Sequence, residues 1–152
     1  MYSGVFFKTN DGYIFNISGL RFESVNSFLK SLTSSSGGRE VFISFEDDDE
    51  TIYGFLRLRK PSELAHRDEI TPNSCIVREL HVFGKSIKIG EHEENSIQHS
   101  GLGKRLMDVA EKISKEDFDA TKLLVISAVG TREYYKKLGY SLDGPYMSKQ
   151  LR

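Results

Sequence analysis

Cysteine is nearly absent from this sequence: Cys75 is the only one in 152 residues. A single thiol forms no internal disulfide and builds no cysteine-based zinc or iron–sulfur site. Within Ser74-Cys75-Ile76-Val77 it reads as a small buried apolar residue, and nothing nearby looks like a base that would activate it. Long hydrophobic runs are also missing. No stretch approaches the roughly 20 apolar residues of a membrane span, and the N-terminus lacks a signal-peptide pattern. A reducing intracellular setting, cytoplasmic or nuclear, is expected, without membrane contact. Neither sign of charge is in excess: 21 Lys+Arg against 22 Asp+Glu leave a net charge of −1. No overall field therefore draws the chain to nucleic acid. The local groups Arg57-Leu58-Arg59-Lys60 and Lys136-Lys137 read as solvated faces. At this length one domain, residues 1–152, with one core is expected.

What is present is a short run with chemical content, Gln98-His99-Ser100-Gly101-Leu102-Gly103-Lys104. Two glycines one residue apart let the backbone turn sharply and approach a ligand closely. The amides that follow open an amphipathic helix, so they lack an acceptor inside it. Free N–H groups and the positive end of the helix dipole make an anion site. Lys104 and Arg105 add positive charge. This reads as a cradle for the phosphates of a nucleotide-like cofactor. Two named phosphate motifs are excluded. A P-loop needs Ser or Thr after its lysine, and here Arg105 follows Lys104. The dinucleotide fingerprint needs a third glycine where Leu106 stands.

The rest of the chain gives the frame. Residues 13–20 read as a strand. Phe22, Val25, Phe28, Leu29 and Leu32 recur at helical spacing, and the polar tract 33–38 ends that helix as a loop. Strands are expected over 41–45, over 51–59 with Ile52, Gly54, Leu56 and Leu58 on one face, and over 75–84. The acidic residues 46–50 read as a hairpin tip, and 60–74, with Pro61 and Pro72, as a loop. A second loop, 85–100, holds Glu91-His92-Glu93-Glu94, which lacks the converging geometry of a metal site; no metal is expected. A helix follows with Leu102, Leu106, Val109, Ala110 and Ile113 on one face. Then come a buried strand over 121–128, a short helix over 132–138 stopped by Gly139, and two strands around Asp143-Gly144-Pro145. The fold class is α/β, a central mixed sheet flanked by helices.

Several stretches in fixed order now point to a family. They are Gly54 to Ser62, Val77 to Gly84, Gln98-His99-x-Gly101-x-Gly103, Val129-Gly130-Thr131-Arg132-x-Tyr134-Tyr135, and Gly144 to Met147. Together they resemble the GNAT superfamily of acetyl-CoA-dependent N-acetyltransferases. More narrowly, they are similar to the acetyltransferase domain of the Elongator catalytic subunit. The resemblance covers residues 39–152; residues 1–38 match nothing in it.

The resemblance implies a GNAT-like fold and acetyl-CoA as cofactor. Gln98, His99, Ser100, Gly101, Leu102, Gly103 and Lys104 would hold the pyrophosphate. Pantetheine would lie between the strand at 78–84 and the strand at 122–128, splayed apart by a bulge. Backbone N–H groups of Leu80, His81 and Val82 would face it and polarise the thioester carbonyl. Tyr135 matches the superfamily tyrosine near the sulfur, a phenol able to protonate the leaving thiolate. Tyr134 completes a pair typical of the narrower family. Neighbours on a helix point about 100° apart, so one of the two should face the sulfur, and Tyr135 is favoured. The acceptor amine must lose a proton. Glu79 and His81 share one face of their strand, Glu79 as first candidate base and His81 as second; an ion pair with a nearby arginine explains Glu79 equally well.

This chain departs from the superfamily in carrying Ala128 where many members have Asn, a polar contact that is either absent or supplied by Ser127. It also lacks the cysteines for the radical-SAM cluster and zinc of the Elongator subunit. It is then a piece of a longer protein, a stand-alone relative or half of a split system. Three functions follow, the last being a degenerate domain that binds coenzyme A only as structure. The first is transfer of acetyl to an amine, protein lysine among the acceptors. The second is an acetyl-CoA-binding or hydrolysing module acting with tRNA and a radical-SAM partner chain.

Overall fold

The structure, a computed structural model, describes residues 5–8, 14–17, 28–46, 52–83 and 101–152. Among the described residues nine strands form one sheet: β1 (Val5–Lys8), β2 (Ile14–Ile17), β3 (Phe28–Ser35), β4 (Gly38–Glu46), β5 (Ile52–Lys60), β6 (Ser74–Val82), β7 (Lys122–Val125), β8 (Ser141–Asp143) and β9 (Tyr146–Gln150). Their order across the sheet is β2-β1-β3-β4-β5-β6-β7-β9-β8. Only β1 with β3 and β6 with β7 are parallel. Among the described residues two helices accompany the sheet, α1 (Leu102–Glu116) and α2 (Arg132–Lys137), the latter entered through a 3-10 turn, Val129–Thr131. Among the described residues no helix is long and apolar enough to cross a membrane.

The helix expected across 22–32 is overturned over its described part, because Phe28–Ser35 is a strand. Apolar residues at 28, 29 and 32 suit either period, and pairing decides. Phe28 sits opposite Phe45 and Leu32 opposite Val41 in an antiparallel ladder. The expected loop 33–38 shrinks to two residues, Ser36 (φ 48) and Gly37 (φ 71). Two successive positive φ angles make the mirror-image turn whose twist matches the flanking strands. The acidic tip at 47–50, the loop at 84–100 and Phe22 and Val25 lie outside the described residues.

The strand expected over 51–59 appears as β5, with Gly54, Leu56 and Leu58 buried and their neighbours half-buried. The helical face appears as read: Leu102, Leu106, Val109, Ala110 and Ile113 are all buried, joined by Met107. Together with Val41, Ile43, Leu56, Leu58, Val77, Leu123 and Val125 they form the core between α1 and one face of the sheet. Burying each such aliphatic side chain contributes about 1.5–3 kcal/mol. Gly54 lets α1 sit close: a Cβ there would meet His81 O at 3.0 Å and Leu102 Cδ2 at 3.2 Å.

Two irregularities shape the middle of the sheet. Arg57 pairs with Glu79 but Leu58 pairs with Val77, so Arg78 is an extra residue on β6. Such a bulge bends its strand and sharpens the twist. On the other side, β6 pairs with β7 only from Ser74 to Val77, the last bond being Ile126 N–H to Val77 O at 3.0 Å. Beyond that point β6 runs on to Val82 without β7 beside it, and a gap opens in the sheet.

Candidate active site

The gap, the start of α1 and helix α2 surround one cleft of about 370 Å³, lined by Leu80, Val82, Gly101, Gly103, Lys104, Thr131, Tyr134 and Tyr135. Thus seven residues singled out for the cofactor or chemistry (Leu80, Val82, Gly101, Gly103, Lys104, Tyr134 and Tyr135) meet around one space. Gln98, His99 and Ser100 lie outside the described residues. Leu102 is 1% exposed; its side chain belongs to the core and only its backbone faces the helix end.

The α1 start leaves its first amides open. Gly101 precedes it with φ 72 and ψ 21, and among the described residues no side chain caps the helix. The first helical bond runs from Arg105 N–H to Gly101 O, at 3.1 Å. The amides of Leu102, Gly103 and Lys104 therefore have no intrahelical acceptor. A Cβ on Gly101 would meet nothing within 4 Å. Lys104 stands at the mouth, paired with Asp108 at 2.8 Å, and this hydrogen-bonded carboxylate raises its pKa. Arg105, read as a second cation there, instead lies over the Phe45 ring, 5.3 Å from its centroid.

The β6 side supplies backbone. Phe83 N–H donates to Tyr53 O at 2.9 Å. In an antiparallel ladder successive residues turn alternately toward and away from the partner. His81 therefore faces β5 with its peptide groups, while Leu80 and Val82 turn theirs toward the gap. Past the end of β7, Ser127 Oγ is buried without a partner among the described residues. A polar atom in that state is unfavourable unless a ligand meets it.

Of the two candidate phenols, Tyr135 is the more deeply buried. Helix α2 has six residues and no side-chain cap, too short to persist alone. Its end is clasped: Gly139 N–H donates to Lys136 O and Tyr140 N–H to Tyr135 O, at 3.0 and 3.1 Å, with Gly139 at φ 89. This is the Schellman arrangement, completed by an apolar contact between its flanking residues. Here that contact is Tyr135 against Tyr140, ring centroids 6.1 Å apart. Tyr140 Oη in turn donates to Glu111 Oε1 at 2.8 Å, and Lys149 reaches the same carboxylate at 2.9 Å. This network and Thr131 were not singled out in the sequence. Thr131 lay inside a quoted stretch; Glu111 gave no local signal. Tyr135 is 6% exposed, and burial, with Tyr134 adding, pushes its pKa up to about 12. It stays a proton donor throughout the physiological range.

Glu79 and His81 do share a face, but the one away from Leu80 and Val82. His81 stacks on Phe55 (5.7 Å, interplanar 10°) and lies 4.6 Å from Phe83. Glu79 meets Arg57 at 3.5 Å, which is the ion pair anticipated as the alternative. Arg57 and the bulge residue Arg78 both donate to Glu40, at 2.9 and 3.1 Å. Burial alone would raise the pKa of Glu40, but these guanidiniums outweigh it and hold the carboxyl low.

No family model matches the chain. Elongator complex protein 3 of Drosophila melanogaster is 49% identical over 118 residues, 77% of this chain and 21% of that protein. A protein named tRNA uridine(34) acetyltransferase, from Dehalococcoides mccartyi, is 44% identical over 119 residues, 77% of this chain and 26% of its own length. Among solved structures, archaeal Methanocaldococcus infernus Elp3 with an N-terminal deletion superposes with a TM-score of 0.74 at 45% identity, over 82% of this chain and 30% of that one. The chain thus spans about a fifth to a quarter of the length of these curated relatives.

Proposed function

We propose that this GNAT-like domain of the Elongator protein 3 family binds acetyl-CoA in the cleft between β6, α1 and α2 and transfers the acetyl group to an amine. One observation carries the reading. A single cleft joins helix-start amides that have no intrahelical acceptor to a buried, protonated phenol, along a strand whose peptide groups are turned inward. Acetyl-CoA, when bound, supplies the activated acyl group. The amides of Leu102, Gly103 and Lys104 hold its diphosphate, and the peptide groups of Leu80 and Val82 pair with pantetheine. Tyr135 gives its proton to the departing thiolate. The acceptor nitrogen loses its proton to a base on the other side of β6, Glu79 first and His81 second.

The test is calorimetry with acetyl-CoA, then an acceptor screen reading acetylated product. Saturable binding and an acetylated amine are expected. Tyr135→Phe should lower kcat about 10²-fold with KM for acetyl-CoA little changed, within the range for loss of a general acid. No binding at micromolar acetyl-CoA would sink the proposal. A second reading is favoured by the name of the Dehalococcoides relative and by the part-length match. In it the domain turns over acetyl-CoA for tRNA uridine modification together with a radical-SAM segment or chain. That reading expects tRNA to stimulate thiol release with no acetylated amine.

A further inference from the structure

We infer that the two adjacent tyrosines serve opposite ends of the ligand: Tyr134 binds the diphosphate of coenzyme A, leaving the thioester to Tyr135. This rests on the reading of the cleft as a coenzyme A site. Its starting point is Gly103. That residue is helical and does not have the left-handed backbone that Gly101 has. Glycine in a helix costs about 1 kcal/mol relative to alanine, so a local reason is needed. The reason is Tyr134: a Cβ at position 103 would stand 2.6 Å from Tyr134 Oη and 3.5 Å from its Cζ. The glycine is an absence that seats a hydroxyl.

That seat is at the anion end of the cleft. The Tyr134 hydroxyl lies over the first turn of α1, beside amides with no helical acceptor, and within the field of Lys104 and Asp108. Burial raises its pKa, Asp108 adds to this and Lys104 opposes it, so the group remains an O–H donor at neutral pH. An O–H, an ammonium and backbone N–H groups on one spot are the donor set for a phosphate oxygen, where each bond is charge-assisted. The Tyr134 ring is 39% exposed, against 6% for Tyr135. The rings meet edge to face at 5.1 Å, so Tyr134 screens Tyr135 from one side while its own hydroxyl points elsewhere. Gly101, with open space where a side chain would be, leaves the other flank free for the ligand.

The experiment compares a full and a truncated ligand. Calorimetry is run with coenzyme A and with pantetheine, which lacks the diphosphate, on wild type, Tyr134→Phe, Tyr135→Phe and Gly103→Ala, and on the Gly103→Ala/Tyr134→Phe double variant. Tyr134→Phe should weaken coenzyme A about tenfold, as for loss of a hydrogen bond to a charged group, and leave pantetheine unchanged. Tyr135→Phe should bind both as wild type does. Gly103→Ala should weaken coenzyme A, and its further effect should vanish once Tyr134 is Phe, because the atom it displaces is gone. Equal coenzyme A binding by Tyr134→Phe and wild type would overturn the inference, and so would an equal loss of both ligands. Wild type that binds neither ligand would instead defeat the cofactor reading on which the inference stands.

Discussion

The two ends of α1 are made differently. At its C-terminal end the protein completes its own hydrogen bonding. Asp117 N–H donates to Ile113 O, Ala120 N–H to Ser114 O, and the buried Ser114 hydroxyl to Ala110 O, at 2.9, 2.8 and 2.7 Å. Lys115 places positive charge in the last turn, where the helix dipole favours it. At the N-terminal end the first amides have no acceptor within the helix. A left-handed glycine precedes the helix, no side chain of the described residues caps it and no acidic residue stands in the first turn. Lys104 is there instead, a charge the dipole disfavours by about 0.3–1 kcal/mol. One end is finished by the folded chain itself; the other keeps backbone amides without an intrahelical acceptor beside the cleft.

The strongest way to break this contrast is alkali, which acts at the open end and at the middle of the helix. Tyr134 and Tyr135 lie by the open end, and Tyr140 bonds Glu111 midway along α1. Burial raises the pKa of all three. A phenol raised on folding contributes stability that is complete below its unfolded pKa, near 10. That stability is lost as pH climbs through the folded value, about 12 for Tyr135. The urea midpoint should therefore fall steeply between pH 10 and 12, and Tyr135→Phe should make the fall shallower. A flat midpoint over that window would refute the burial argument.

Next in size is Gly101→Val. A β-branched side chain at φ 72 is strained by about 1–2 kcal/mol and would move the exposed amides. Coenzyme A affinity should drop at least tenfold in calorimetry. Because the strain is confined to one residue at the helix edge, the core contacts of Leu106 and Ile113 persist. The smallest effect belongs to the closed end. Ser114→Ala removes one buried hydrogen bond and should cost about 1 kcal/mol by denaturant titration, while coenzyme A affinity stays constant. A Ser114 variant with altered affinity would show that the ends are coupled and dissolve the comparison.

Much of the frame could be read from residues alone, because each element carried one clear period. Strand β5 alternates and α1 keeps a 3.6-residue stripe, and both appear where expected. Phe28–Ser35 failed because three apolar residues fit two periods; the turn that settles it needs both Ser36 and Gly37 at positive φ. The cleft was legible in part for a similar reason. Gly-x-Gly before an amphipathic stripe announces open amides locally. What holds the site together is long-range and left no local trace. Gly103 answers to Tyr134, Arg57 and Arg78 converge on Glu40, and Glu111 anchors Tyr140.

The clasp at Gly139 has a mechanical consequence. Tyr135 is mounted like a cantilever, free at the cleft and bolted behind, through Tyr140, to the rigid beam of α1. The footing of the phenol thus includes Glu111, which is not part of the cleft lining, so the pocket wall and the support behind it come from different stretches of the chain.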